Sequence, residues 1–341
     1  MKNIKEIEYN KNINNTNGVF QIGCIKYFYK ILNEKEFKME KIGYDKLNKY
    51  YKLPRLISLD KKNKIVIYEY NEINKKNKGL LVDYFASNNF LTKEYYGILN
   101  EYKDVFDKTI NYTKKGNCKI FFEDRLKTRL KKNIEYIKNL ELDNKEYIFN
   151  GKKVIIKPLS INEDINNYFK KINKEWCVIS NCDPNDLNIC MDHTMFDYTG
   201  GGNVPLMSEF AVFTCYNLIQ GEYLSLKYNK KAFKNHDNIY KYINKCNFKS
   251  NNINHKPRKI RIDAIEYYAK NIIAPILKKK EYVEWYNDFK NYFAIKLLAV
   301  FNFDKMNKKD IELSLCYMQL FYEAKINSIN GLLKFIKKMY E

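Results

Sequence analysis

The strongest constraint on the fold is a change of hydrophobic pattern near Gly79. Upstream of it, short runs rich in β-branched and aromatic residues alternate with turns and flank one helical stretch. Downstream, apolar residues recur mainly at helical spacing. We therefore predict a bilobal α+β fold, with a small β-rich N-terminal lobe over residues 1–75 and a larger, mainly helical C-terminal lobe over residues 76–341. The predicted elements of the first lobe are strands at Val19–Ile22, Cys24–Leu32, Ile57–Leu59 and Ile65–Tyr70, and a helix at Phe37–Tyr50.

The C-terminal lobe contains one clear hairpin signal among its helices. Two short apolar runs flank Asn150-Gly151, a dipeptide that favours a two-residue turn with positive φ at both positions. A short apolar strand is predicted at Trp176–Ser180. Predicted helices cover Leu91–Thr109, Phe122–Asn139, Asp164–Asn173, Ser208–Gln220, Asp263–Lys278, Tyr282–Val300, Lys309–Lys325 and Ile329–Met339.

The sequence shows no targeting or membrane signal. Residues 1–14 are polar and charged, without the apolar core of a signal peptide. The longest apolar run, Ala294–Phe303, is interrupted by Lys296 and Asn302 and falls short of the roughly 18 residues of a spanning helix. The eight cysteines include no CxxC pair, so we interpret them as reduced thiols. We expect a cytoplasmic protein with no membrane partner.

The net charge of +21 has two possible sources. The chain is rich in Asn, Ile, Tyr and Lys, whose codons are A/T-rich, so genome composition alone could raise the lysine content. More than half of this excess positive charge, however, lies in residues 225–280, which contain 15 lysines and arginines and only three acidic residues. This basic stretch is either a solvated insertion or a wall beside a binding cleft. As a wall it would favour an anionic ligand or weak contact with RNA.

The segment best suited to chemistry is 178–213. A strand leads into the loop Asp183-Pro184-Asn185-Asp186-Leu187-Asn188, and a short hairpin brings Asp197 alongside it. Two carboxylates and a carboxamide on one loop system supply the hard oxygen ligands that Mg²⁺ prefers, and leave one carboxylate to orient or deprotonate a hydroxyl. The same residues form a strong turn signal, so a purely structural turn is the competing interpretation.

The residues after Asp197 carry two further expectations. The run Thr199 to Asn203 is glycine-rich, which predicts a flexible loop whose backbone approaches a ligand closely. Ser208 is a predicted helix N-cap, with Glu209 placed in the first turn of that helix.

These residues resemble the catalytic core of the aminoglycoside phosphotransferase and choline kinase group, which has a protein-kinase-like fold. The resemblance implies that Asp183 is the catalytic base and that Asn188 and Asp197 bind Mg²⁺. It also implies that Glu209 braces the loop, while Asp186 aids either the loop or the substrate. The matching residues are Asp183-Pro184, Asp186, Asn188, Phe196-Asp197-Tyr198, the glycines that follow, Asn203, Pro205 and Glu209-Phe210-Ala211.

The resemblance extends into the N-terminal lobe and covers roughly residues 5–225. It implies that Lys30 contacts the nucleotide phosphates and that Glu40 pairs with this lysine. Gly18 would lie in a phosphate-covering loop, and the backbone of Glu69 and Tyr70 would line the adenine site. For Lys30 and Glu40 the competing interpretations are a solvated strand residue and a surface helix residue.

The sequence departs from the family pattern beside the proposed base. Asn181-Cys182 stand where the group has His-Gly, and Asn181 is expected to support the loop less well than that histidine. Cys182 is either a reactive thiol or a small buried residue filling the glycine site. These departures keep open a catalytically degenerate, kinase-like binding or scaffold protein.

The function predicted from the sequence is an ATP- or GTP-dependent, Mg²⁺-dependent phosphotransferase acting on a hydroxyl of a small molecule. The basic stretch at 225–280 favours an anionic or neutral acceptor over a polycationic aminoglycoside, and it leaves nucleic-acid contact as a further alternative. On the predicted helix after Phe121, a solvated ion-pair face formed by Glu123, Arg125 and Arg129 competes with a substrate contact by Arg125.

Overall fold

The computed structural model describes residues 4–11, 16–70, 79–219, 240–244, 247–250 and 256–340. Its N-terminal part is a five-stranded sheet in the order β1-β2-β3-β5-β4, with every neighbouring pair antiparallel. One helix, α1, lies between β3 and β4 in the chain. The elements are β1 (Ile4–Lys11), β2 (Thr16–Ile22), β3 (Ile25–Ile31), α1 (Glu34–Leu47), β4 (Leu56–Asp60) and β5 (Ile65–Glu69).

Local sequence explains the position of α1. Asn33 caps its N-terminus, where the side-chain Oδ1 accepts a hydrogen bond of 2.9 Å from the Glu36 amide. The buried face of the helix includes Phe37 and Leu47. A Cβ added at Gly43 would stand 1.8 Å from the carbonyl oxygen of Tyr198, so glycine is required where α1 meets the segment around Asp197.

The remainder of the chain is mainly helical, which confirms the predicted α+β, bilobal architecture. Its elements are α2 (Leu81–Ser87), α3 (Lys93–Thr109), β6 (Asn111–Thr113), α4 (Asn117–Arg125), α5 (Lys131–Asn139), β7 (Glu146–Phe149), β8 (Lys152–Ile155), α6 (Pro158–Lys171), β9 (Glu175–Ser180), β10 (Gly202–Pro205), α7 (Leu206–Cys215), β11 (Tyr240–Asn244), β12 (Asn247–Ser250), α8 (Lys256–Tyr268), α9 (Ala274–Lys279), α10 (Trp285–Ile295), α11 (Lys308–Glu323) and α12 (Ile329–Lys338). Short π-helical turns at Leu126–Leu130, Ala269–Ile273 and Lys296–Val300 extend α4, α8 and α10, and a 3₁₀ turn spans Phe303–Lys305.

Two small sheets interrupt these helices. Strands β10, β9 and β6 form an antiparallel sheet in that order, with Ser180 paired to Gly202. The second sheet has the order β11-β12-β7-β8, in which β12 and β7 are parallel. The predicted hairpin at Asn150-Gly151 is confirmed, with φ of 48° and 78° at its two turn residues.

The structure corrects several local predictions. Gly202–Pro205 is a paired strand, so the predicted flexible loop ends earlier than expected. Helix α7 begins at Leu206, which makes Ser208 a buried helical residue and not the N-cap. The sequence analysis also missed β1, β6, β11 and β12, which are short or strongly charged. Within the described residues, no helix combines the length and hydropathy needed to span a bilayer.

Candidate active site

The site is built on the long connection between β9 and β10. Pairing of Ser180 with Gly202 fixes both ends of this connection, residues 181–201, at one edge of the small sheet. Within it, Ile189 and Met195 form an antiparallel bridge, as the predicted hairpin requires. The Phe196 amide then donates a hydrogen bond of 2.8 Å to the Asn188 carbonyl. The loop is therefore folded back on itself, with Asn188 tied to the residue that precedes Asp197.

Lys30 and Glu40 form a buried ion pair between β3 and α1. The Lys30 Nζ lies 2.7 Å from Glu40 Oε1, and the Glu40 side chain is fully buried. Glu40 also accepts hydrogen bonds of 2.9 Å from the Tyr68 hydroxyl and 2.7 Å from the Thr199 hydroxyl. Burial opposes the charge on Lys30, but the charges of Glu40 and Asp197 prevail and raise its pKa above the ordinary value. Neither residue is therefore a simple surface residue of its element.

Asp197 meets this pair from the loop side. One of its carboxylate oxygens lies 3.8 Å from the Lys30 Nζ and accepts a 3.4 Å hydrogen bond from Thr199. Its backbone adopts a left-handed conformation with φ of 60°, which is uncommon for a residue with a side chain and often marks functional sites. The Asp197 side chain is 51% exposed, so its carboxylate is available to a ligand.

Asp183 is held from two sides. From the same loop, Asn188 Nδ2 donates to Asp183 Oδ2 at 3.3 Å. On the core side, the hydroxyl of Tyr216 donates to Asp183 Oδ1, and the Lys296 Nζ lies 3.4 Å from the same oxygen. The sequence analysis missed both of these core-side partners. The lone lysine in the apolar run Ala294–Phe303 was the signal for one of them, because a buried lysine requires a partner.

Asn181 connects the two halves of the loop. It is 1% exposed, and its Nδ2 donates to the carbonyls of Asp183 at 3.2 Å and Phe196 at 3.4 Å. Its Oδ1 accepts a 3.3 Å hydrogen bond from the Asp183 amide. The carboxamide thus supplies cross-loop contacts at the position where the resembled family has histidine.

Cys182 occupies the glycine position of the family pattern in a conformation suited to glycine. Its φ is 69°, and its Cβ stands 2.9 Å from the position that a Cβ on Gly200 would take. A hydrogen bond to Cys118 together with burial raises the pKa of the Cys182 thiol well above its ordinary value. A thiol kept protonated in this way is a poor nucleophile, which favours the small buried residue over the reactive thiol.

The glycines after Asp197 serve protein packing. Gly200 lies against Cys182, and a Cβ on Gly201 would come within 2.7 Å of the Leu47 side chain on α1. These glycines thus pack against Cys182 and α1, and Gly200 also lines the cleft that contains Asp183 and Asp197. The contact with α1 fixes the segment that carries Asp197 against the N-terminal lobe.

The two supporting acids lie behind the loop. Asp186 forms a buried ion pair with Arg261 on α8 at 2.8 Å, with both side chains at most 5% exposed. Glu209 is 1% exposed on α7. Burial and the Asp183 charge raise the pKa of Glu209 to about 8, opposed by the Cys182 amide and by Lys296. Asp186 is therefore tied to α8 from the core side of the loop.

A cleft of about 560 Å³ opens in front of these groups. Its lining includes Asp183, Asp197, Thr199 and, from α4, Arg125. The Arg125 guanidinium stacks 5.0 Å from the Phe121 ring, and its buried Nε has no hydrogen-bond partner among the described residues. Burial lowers the pKa of Arg125 from its ordinary value.

The ion-pair face predicted around Arg125 is wrong. Glu123 lies 3.7 Å from Lys119, and Arg129 donates a 2.6 Å hydrogen bond to the Val300 carbonyl. Each of the three side chains therefore has a different contact: Arg125 with the Phe121 ring, Glu123 with Lys119 and Arg129 with the Val300 carbonyl.

Of the remaining residues predicted at the nucleotide site, Gly18 is placed differently from the prediction. Gly18 lies within β2, paired with Tyr29, so residues from 16 onward form strand and not loop. The amide groups of Glu69 and Tyr70 donate to the carbonyls of Arg55 and Lys26, at 2.9 and 3.3 Å. These amides are therefore engaged within the sheet. Asn71 lies outside the described residues, as do five of the fifteen lysines and arginines in 225–280.

Asn188 and Asp197 have the chemistry of a magnesium site. Mg²⁺ takes oxygen ligands, and in phosphotransferases it uses one or two protein groups, with substrate phosphates and water completing the shell. The hydrogen bond from Asn188 Nδ2 to Asp183 leaves the carboxamide Oδ1 for another partner. No cluster of three or more His, Cys, Asp or Glu side chains suited to a metal occurs in the described part of the chain. The residues present fit an ion shared with a nucleotide.

Solved structures similar to this chain come from the group that the sequence resembles, as predicted. A thermostable mutant of aminoglycoside phosphotransferase APH(4)-Ia, in complex with ADP and hygromycin B, superposes with a TM-score of 0.49 at 7% identity, covering 94% of this chain and 95% of that chain. Spectinomycin phosphotransferase APH(9)-Ia gives a TM-score of 0.38 at 10% identity, with coverages of 98% and 93%. Choline kinase LicA from Streptococcus pneumoniae gives 0.36 at 10% identity, with coverages of 88% and 94%. No protein-family model and no curated protein sequence matches the chain.

Proposed function

We propose that this protein is a phosphotransferase that moves the γ-phosphoryl group of ATP or GTP to a hydroxyl of a small molecule. The observation that carries the proposal is the approach of Lys30 to Asp197: the two lie 3.8 Å apart, and Asp197 lines the same cleft as Asp183. A turn with a purely structural role would not require a buried Lys30–Glu40 pair beside it. Phosphoryl transfer requires this combination of a cation, metal-binding oxygens and a carboxylate.

Each residue has one task in the proposed reaction. Lys30, oriented by Glu40, would bind the nucleotide phosphates. Asn188 and Asp197 would hold Mg²⁺, which when bound neutralises charge on the phosphates. Asp183 would accept a hydrogen bond from the acceptor hydroxyl and take its proton.

The reaction balances without a covalent intermediate. The acceptor oxygen forms a bond to the γ-phosphorus while the bond from that phosphorus to the β–γ bridging oxygen breaks. The acceptor proton passes to Asp183, and the nucleoside diphosphate leaves. The protein contributes position and charge, which together account for most of the rate in this class of reaction.

The cleft supports a neutral or anionic acceptor. Arg125 presents a buried donor without a partner among the described residues, and an acceptor oxygen would satisfy it. Lys35, which also lines the cleft, is paired with Asp124 at 3.2 Å. The choice of a neutral or anionic acceptor therefore rests on Arg125, because Lys35 is paired and the lining also holds four carboxylates: Glu36, Asp124, Asp183 and Asp197.

ATP consumption across an acceptor panel tests the proposal. The wild-type chain should release ADP slowly alone and faster with a neutral polyol or an anionic sugar than with an aminoglycoside. Asp183→Asn should lower the rate by about 10²–10⁴-fold, the usual contribution of a general base. Asp192→Asn is the matched control, because Asp192 lies in the same loop but pairs with Lys52 at 2.7 Å and does not line the cleft.

Two outcomes would count against the proposal. Equal rates for the wild type and Asp183→Asn, with any acceptor, would refute the catalytic assignment. Nucleotide binding without turnover across the whole panel would favour the degenerate, kinase-like binding protein.

A further inference from the structure

Lys296 is a buried cation on the core side of the candidate active site. It begins the π-helical turn that follows α10, far along the chain from the catalytic loop. Lys296 is 4% exposed. Its Nζ donates to the Tyr216 hydroxyl and lies 3.4 Å from Asp183 Oδ1. The same Nζ lies 4.1 Å from the centre of the Tyr216 ring. Burying a lysine is costly unless it is paired. The carboxylate that it pairs with is the one proposed as the base.

This arrangement distinguishes the two oxygens of Asp183. Oδ1 is held in the core by Tyr216 and Lys296, and Tyr216 is itself only 3% exposed. Oδ2 meets Asn188 on the other side, and the Asp183 side chain is 34% exposed and lines the cleft. Rotation of the carboxylate would break the Oδ1 contacts. The core-side pair thus restrains the carboxylate and leaves Oδ2 as the oxygen without a core contact.

A second cluster of lysine, tyrosine and carboxylate, with glutamate in place of aspartate, occurs away from the cleft lining. Lys115 Nζ lies 2.7 Å from Glu175, and the Tyr292 hydroxyl donates to the same carboxylate at 2.7–2.8 Å. These two charged side chains are 5% and 3% exposed, and neither residue lines the cleft. This second trio shows what a buried Lys–Tyr–carboxylate cluster does for the fold alone. It therefore provides an internal control for the first.

We propose that Lys296, acting through Tyr216, is a positioning residue for phosphoryl transfer. It clamps Oδ1 of Asp183 and thereby aims Oδ2 at the acceptor hydroxyl. The inference rests on the proposed function and adds to it a second layer of residues from α7 and α10. Displacing a catalytic group by about 1 Å can cost roughly 10²-fold in rate, so the clamp should act on turnover more than on substrate binding.

The test compares kcat and KM for ATP in four full-length proteins: wild type, Lys296→Met, Tyr216→Phe and Lys115→Met. We expect Lys296→Met to lower kcat by about 100-fold and Tyr216→Phe by about 10-fold, each with KM for ATP changed less than about 3-fold. Lys115→Met should keep kcat within about 3-fold of wild type, although it removes a lysine of equal burial. Denaturant unfolding of each variant checks that the protein is folded under the assay conditions, so that the kcat values compare folded proteins.

The outcomes separate this inference from the proposed function. If wild type turns over ATP and Lys296→Met loses no more kcat than Lys115→Met, the positioning role is refuted and the proposed function stands. If Lys296→Met does not fold, Tyr216→Phe decides, because it removes one hydroxyl and keeps the ring, and an unchanged kcat refutes the role. A wild type without turnover refutes both.

Discussion

Gly43 lies at the closest approach between helix α1 and the loop that carries Asp197. Replacing glycine by alanine inside a helix ordinarily stabilises a protein by about 1 kcal/mol, because alanine restricts the unfolded backbone and favours the helix. At Gly43 the added Cβ would stand 1.8 Å from the carbonyl oxygen of Tyr198. We therefore expect Gly43→Ala to destabilise the protein.

The size of the destabilisation can be estimated from the clash between the added Cβ and the Tyr198 carbonyl. The separation must grow from 1.8 Å to at least 3.0 Å, and the obstacle is backbone that cannot rotate away. This places the cost near the upper end of the roughly 1–3 kcal/mol typical of overpacking. After the helix gain of about 1 kcal/mol is subtracted, a net loss of about 2 kcal/mol in the free energy of unfolding remains.

Gly97, in the middle of α3, is the matched control. A Cβ there would meet His193 at 3.5 Å, an ordinary contact, so Gly97→Ala should gain up to about 1 kcal/mol. Urea unfolding of the wild type and the two variants measures the difference, which should be about 3 kcal/mol between the variants. A Gly43→Ala protein as stable as Gly97→Ala would refute the close packing of α1 on the Asp197 segment.

Two further predictions concern the acids behind the loop. The folded-state pKa of Glu209 is about 8, above its ordinary 4.5, so the native state binds the extra proton and its stability should fall as pH rises between those values. The dependence of the unfolding free energy on pH has a slope of at most about 1.4 kcal/mol per pH unit from this one group, and Glu209→Gln should flatten it. Urea unfolding at pH 5, 6.5 and 8 measures the slope, and an unchanged slope would contradict the raised pKa of Glu209. Arg261→Met should cost about 3–5 kcal/mol by leaving Asp186 buried and unpaired, and Arg261→Met with Asp186→Leu should recover much of it. A loss below about 1 kcal/mol in the single variant would show that Asp186 is solvated.

The parts of the site that are local in sequence could be predicted. Asp183, Asn188 and Asp197 fall within fifteen residues, and hairpin geometry alone brings them together. The sheet and α1 followed from β-rich runs and helical spacing, and the Lys30–Glu40 pair connects neighbouring elements.

The parts that depend on long-range packing could not be predicted. Tyr216 and Lys296 reach Asp183 only because α7 and α10 pack beside the loop, and no local spacing predicts that contact. The close contacts of Gly200 with Cys182 and of Gly201 with Leu47 on α1 were not predicted, because the partner across a close contact is set by tertiary packing. Gly18 was placed in a loop although its neighbours pair as a regular strand.

The central claim is that residues 181–201 and Lys30 form one site for a nucleotide and its metal. A crystal structure of the full chain with Mg²⁺ and a non-hydrolysable ATP analogue tests it most directly. We predict one ion at about 2.0–2.1 Å from oxygens of both Asn188 and Asp197, with Lys30 on the phosphates and Asp183 outside the metal shell. A nucleotide bound without contact to Lys30, or an ion bound by neither Asn188 nor Asp197, would contradict it.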